Sequence, residues 1–153
     1  SLNAAMVVLL QFPITRRIEN QKPLLMMASG TLLYAIGFAL YGFVSVYSLF
    51  VLAMVIITIG EMIIVPMGQT LVAKLAPEEM RGRYMAVFGI SWGIPFAIGP
   101  YLAGLILDNY DPRWLWYIAD VIGLLATLGF LALHRRTEPK EDEIPSAAAH
   151  ETV

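Results

Sequence analysis

Cysteine is absent from all 153 residues, which excludes disulfides, thiol nucleophiles and cysteine-ligated metal centres. Histidine is scarce: His134 closes the last apolar stretch and His150 lies in the tail, which leaves little material for a histidine-based catalytic site or metal centre. No cofactor is expected. Charge is sparse as well, at 14% of residues against roughly 25% in soluble domains. Ten Lys and Arg stand against twelve Asp and Glu, for a formal charge of −2 that arises wholly after Leu133. With no basic excess, no nucleic-acid partner is expected.

What the chain has instead is apolar length. Hydrophobic residues make up 58% of it, and four stretches reach the roughly 20 residues that a helix needs to cross a bilayer. They run at about 24–44, 48–73, 84–107 and 114–133. Backbone polar groups in hydrocarbon must be satisfied within helices or closed barrels, so these read as helices. The fold class predicted is an all-α, polytopic membrane bundle. The stretch 1–13 is apolar but too short to span, and it reads as the end of a truncated transmembrane helix. Residues 14–134 then hold the four spans, and 135–153, polar and without an apolar face, read as a disordered tail. The expectation is a C-terminal fragment of a larger protein.

Cytoplasmic loops carry the excess of Lys and Arg. Arg16, Arg17 and Lys22 precede the first span, Lys74, Arg81 and Arg83 lie between the second and third, and Arg135, Arg136 and Lys140 follow the fourth. Only Arg113 falls on the opposite side, so the C-terminus is expected in the cytoplasm of a plasma (inner) membrane protein. Tyr110, Trp114, Trp116 and Tyr117 cluster at the expected outer interface, and Asp111-Pro112 suits a helix start.

Glu61 is the residue that most needs explaining. It sits thirteen residues into the run Ser48–Ala73, where a carboxylate costs roughly 2.5–3.5 kcal/mol on insertion scales. At 100° per residue it shares an arc of about 100° with Met54, Thr58, Val65, Gly68 and Gln69, opposite Leu52, Ile56, Ile59, Ile63 and Met67. Pro66, one turn on, removes the hydrogen bond to the Met62 carbonyl, a common cause of a kink. Glu61, Thr58, Gln69 and Trp92 are thus candidates for binding a proton or a substrate. The alternatives are a structural Glu bonded to a neighbouring helix and a Trp92 that only packs.

The third span carries Gly89, Gly93, Phe96, Pro100, Ala103 and Gly104 on one stripe, with Pro95 beside it. Small residues at this spacing predict a close-packing seam, compatible with a hinge at Gly93, Pro95, Gly99 and Pro100. Gly30, Tyr34, Gly37 and Tyr41 predict a packing face on the first span. Asp120 is a second intramembrane acid, read as structural, either capped or ion-paired, with Arg113 as the candidate partner; transport chemistry is the alternative. Pro77, Glu78 and Glu79 suit the first turn of a helix, and Arg81 and Arg83 either latch onto acids of another cytoplasmic loop or set topology alone.

From Gly60-Glu61 and Pro66 through Leu75-Ala76-Pro77, Arg81-Gly82-Arg83-Tyr84, Gly99-Pro100 and Gly104, the chain resembles the major facilitator superfamily of transporters. Gln11-Phe12-Pro13-Ile14 followed by Arg16-Arg17 is similar to the end of that family's eighth helix. The resemblance implies that end plus helices nine to twelve of a twelve-helix fold. It further implies a small-molecule substrate, protons and the lipid bilayer as partners, with the missing N-terminal half completing the path. The multidrug-resistance drug:proton antiporters are most similar, which implies proton-coupled efflux by alternating access. Loop 14–23 lacks the Gly and Asp of the family's signature. Gly60 to Pro77 also resembles the proton-coupled peptide symporters. A non-transporting sensor or assembly module of the same fold is a further alternative. No nucleophile or paired-acid constellation suggests an enzyme.

Overall fold

The computed structural model describes residues 2–137, which form five α-helices and one short 3-10 turn, with no strand among the described residues. The helices are α1 (Leu2–Ile18), α2 (Pro23–Phe43), α3 (Tyr47–Leu75), α4 (Arg81–Asn109) and α5 (Arg113–Thr137). The all-α bundle expected from the apolar runs is the fold that forms, and α2 to α5 are each long and apolar enough to cross a membrane.

The helix ends follow local chemistry. Pro23 opens α2, where its missing N–H and fixed φ are harmless. Val44 and Val46 hold extended backbone between α2 and α3. Pro77 stands before the 3-10 turn Glu78–Met80 rather than inside a first α-turn, and α4 follows directly. Asp111 caps α5 through its Oδ1, which accepts from the Arg113 backbone N–H at 2.8 Å. α1 continues through Pro13 and the basic pair to Ile18. α5 likewise runs three residues into the segment expected to be disordered. His134, Arg135 and Arg136 suit the negative end of its dipole, and the Thr137 hydroxyl donates to the Leu133 carbonyl at 3.0 Å. The rest of the expected tail lies outside the described residues.

α2 is the centre of the packing, antiparallel to α3 on one side and to α5 on the other. Against α3 it places Gly30 beside Gly60 and Ile64, and Gly37 beside Ile57 and Ala53. A Cβ on Gly60 would stand 2.8 Å from the Gly30 carbonyl oxygen, so the two backbones meet where only glycine fits. Against α5, a Cβ on Gly123 would lie 3.1 Å from the Ala35 Cβ. The Thr31 and Thr127 hydroxyls share a buried hydrogen bond of 2.9 Å, and the Tyr117 hydroxyl donates to the Gly42 carbonyl at 3.3 Å. Lipid tails are as apolar as leucine, so such close contacts and hydrogen bonds, rather than water exclusion, hold these helices together.

The packing face expected on the first span forms. Gly30 and Gly37 meet α3, and Tyr41 packs its ring on Phe50 of α3 and Trp116 of α5, with centroids 4.7 and 4.8 Å apart. On α3 the face turned to α2 carries Ala53, Ile57, Gly60 and Ile64. That i, i+4, i+7, i+11 set belongs to neither of the two arcs read from the sequence.

α4 stands apart. It contains no buried residue, and a Cβ on Gly89, Gly93, Gly99 or Gly104 would meet nothing within 4 Å. The close approach that its small-residue stripe predicts is not made among the described residues. It approaches α3 at Phe88, whose Cζ would lie 3.0 Å from a Cβ on Gly68 of α3.

Candidate functional site

Glu61 lies near the middle of α3, half-buried. Its Oε2 accepts a hydrogen bond of 3.2 Å from Asn3 Nδ2 of α1, and the same amide nitrogen donates to Thr58 Oγ1 at 3.0 Å. Thr58 is fully buried and spends its own proton on the Met54 carbonyl at 2.8 Å, so it offers Asn3 a lone pair. Donor order in this cluster is therefore fixed. Asn3 gives to both partners, and Glu61 receives through one oxygen while the other takes no bond from the described residues. Chemically this is a carboxyl group that can accept a proton or a cationic or donor-bearing ligand, held in place by an amide from the next helix.

The four candidate binding residues separate into two groups. Thr58 and Glu61 share the Asn3 cluster on the α1 side. Gln69 and Trp92 instead line a cleft of about 340 Å³ between α3 and α4, together with Val65, Met85, Phe88 and Gly89. Val65 stands one turn from Glu61 and marks the step between the two. The arc read as one cavity-facing surface is thereby divided: Thr58 and Gly68 are buried in helix contacts, while Gln69 is exposed. Sequence reasoning did not single out Asn3. The available signal was an amide in an otherwise apolar stretch, but nothing local says which helix it addresses.

Both proline-bearing helices are continuous. α3 passes through Pro66, and α4 passes through Pro95 and Pro100 with Gly93 and Gly99 alongside. Trp92, Pro95, Phe96 and Pro100 line a second cleft of about 380 Å³ on the open face of α4. Arg83 lines another cleft, of about 550 Å³, with Val72, Tyr84 and Val87 at the end of α3 and the start of α4. Arg81 and Arg83 are exposed, and neither has an ion-pair partner among the described residues.

The pairing expected between Asp120 and Arg113 is not made. Seven residues of helix set the two about 10 Å apart along the axis, and Arg113 at the helix start is exposed. Asp120 is half-buried, one heptad before Thr127 on the stripe that meets α2. No three-residue His, Cys, Asp or Glu group that could hold a metal occurs among the described residues.

The family profile described as Major Facilitator Superfamily matches residues 1–152. Among curated proteins, the uncharacterized MFS-type transporter YdeE of Escherichia coli is 34% identical over 128 residues, 82% of this chain and 32% of that protein. Multidrug resistance protein 3 of Bacillus subtilis is 28% identical over 71% of the chain and 21% of its own length. The multidrug efflux pump SdrM of Staphylococcus aureus is 34% identical over 65% of the chain and 22% of its own length. The chain thus spans about a third or less of the relatives it matches. No solved structure matches it.

Proposed function

The chain belongs to the Major Facilitator Superfamily, a family of membrane transporters, and from that premise we propose that it is part of a proton-coupled secondary transporter that exports small molecules by alternating access. The observation that carries the proposal is Glu61, an acid in the interior of an apolar 29-residue helix, held by Asn3 of the neighbouring helix one turn before Pro66. Intramembrane acids are costly, and they mark ion and substrate pathways. The relatives named for multidrug resistance and multidrug efflux favour drug-like cargo.

In this reading Glu61 takes up and releases the coupling proton. Thr58 and Asn3 orient its carboxyl, and Gln69 and Trp92 contact cargo in the cleft beside it. Binding near the bilayer midplane and rocking around that site is how such folds work. Pro66, Gly93, Pro95, Gly99 and Pro100 supply the bending, and Arg81 and Arg83 latch the cytoplasmic side against acids contributed by the rest of the protein. The role is transport and not catalysis, and the partners are small-molecule cargo, protons, lipid and the N-terminal part of the same transporter. The test is flux in proteoliposomes carrying the full-length protein, with an imposed pH gradient and a panel of cationic drugs and peptides. Accumulation that collapses with an uncoupler supports the reading, whereas flux indifferent to the gradient contradicts proton coupling.

The orientation follows from charge. Nine of the ten Lys and Arg lie on one side of the spans, which favours a C-terminus in the cytoplasm and a plasma-membrane location. With an impermeant thiol reagent on intact cells, Asn109→Cys should label and Ser146→Cys should not. The reverse pattern contradicts this topology.

A further inference from the structure

Pro66 has no N–H, so the Met62 carbonyl that would receive it in an unbroken helix must find another donor. Met62 is almost wholly buried, at 1% exposure, and water is a poor substitute there. Prolines persist in membrane helices where neighbouring helices satisfy the backbone groups they free. Here the donor comes from α1. Gln11 Nε2 gives one hydrogen bond to the Met62 carbonyl at 3.3 Å and another to Thr15 Oγ1, one turn along its own helix, at 3.0 Å. Thr15 thus fixes the rotamer that aims the amide across to α3.

Two amides of α1 therefore hold α3 around the acid: Asn3 at the Glu61 carboxyl and Gln11 at the carbonyl that Pro66 frees. They are eight residues apart on α1 yet reach neighbouring residues of α3, Glu61 and Met62, so both amides converge on the stretch of α3 that holds the acid. We propose that Gln11 is a positioning residue: by replacing the N–H that Pro66 lacks, it pins α3 at the Met62 carbonyl and so sets the place of Glu61 relative to Asn3. Its bearing on transport rests on Glu61 being the proton carrier. The pin itself does not.

A double-mutant cycle in the full-length protein tests it, with Gln11→Met, Pro66→Ala and the combined variant. Pro66→Ala restores a backbone N–H that the Met62 carbonyl can accept, which makes the Gln11 donor redundant. Gln11→Met should lower the Tm of the purified protein by roughly 2–4 °C when Pro66 is present, and by less than half as much in the Pro66→Ala background. Equal losses in both backgrounds overturn the pin. If Gln11→Met yields no folded protein, the yield of the combined variant is read instead: recovery supports the pin, and continued loss overturns it. For positioning, the pH of half-maximal gradient-driven flux should shift in Gln11→Met and move back towards wild type in the combined variant. An unshifted profile overturns the positioning role. Glu61→Gln is measured alongside, and if it still accumulates cargo against the gradient, it is the reading of Glu61 that has failed. The Tm cycle then still decides whether Gln11 pins the Met62 carbonyl.

Discussion

α3 and α4 are both 29 residues long, both apolar, and both carry proline and glycine in their interiors, yet they end in opposite situations. α3 buries six residues and presses Gly60 onto the Gly30 backbone, while α4 buries none and its glycine stripe meets open space. The carbonyl that Pro66 frees is taken by Gln11, whereas no side chain among the described residues donates to the Ser91 or Phe96 carbonyls that Pro95 and Pro100 free. Small residues at four-residue spacing permit close approach, but they do not supply the partner. A second helix with matching small residues must be within reach, as α2 is for α3 and is not for α4.

Substitutions can break this contrast. Gly60→Leu should have the largest effect on folding, because its side chain would enter the Gly30 backbone, which cannot step aside. Overpacking typically costs about 1–3 kcal/mol, and a backbone clash belongs at or beyond the top of that range. Expression and Tm of the full-length protein should both fall sharply. Gly93→Leu, in the same assay, should lower Tm much less, since nothing within 4 Å opposes the new side chain. Its cost should appear in flux instead, if the α4 stripe serves movement. Equal destabilisation by the two variants would show that α4 is packed as tightly as α3 in the whole protein, and would erase the contrast.

The smallest effect is expected at the α2–α5 contact. Thr31→Val and Thr127→Val each remove one side of a buried hydrogen bond, and hydrogen bonds between membrane helices average about 0.6 kcal/mol in double-mutant cycles. The double variant should lose little more than either single one. Fully additive losses in a thermal-stability cycle would mean that the two hydroxyls contribute through their own helices alone, where a hydroxyl that does not donate across the contact can donate to a backbone carbonyl.

The number and type of spans were legible from apolar length alone, as was the Asp111 cap, because both rest on local chemistry. The face by which α3 meets α2 was not. In a soluble helix the buried side announces itself by polarity, but here Ala53, Ile57 and Ile64 are no more apolar than Ile56, Ile59 or Ile63, which face elsewhere. Glu61 was legible because it breaks that uniformity. Its partner was not, since Asn3 lies 58 residues away in sequence and only the packing of α1 on α3 brings it near. Gln69 is the opposite case. Angular proximity to Glu61 on a helical projection suggested one site, yet two turns of rise place it in the α3–α4 cleft with Trp92.

Coupling through Glu61 is tested most directly by separating movement of cargo from movement driven by protons. Proteoliposomes containing the full-length protein with Glu61→Gln can be loaded with unlabelled cargo and assayed for exchange, then assayed for accumulation under an imposed pH gradient. A neutral amide keeps the size of the side chain and the acceptor for Asn3 but cannot load or release a proton. The account predicts that exchange survives and gradient-driven accumulation is lost. Accumulation at the wild-type level would contradict it, and would leave Glu61 as a structural partner of Asn3.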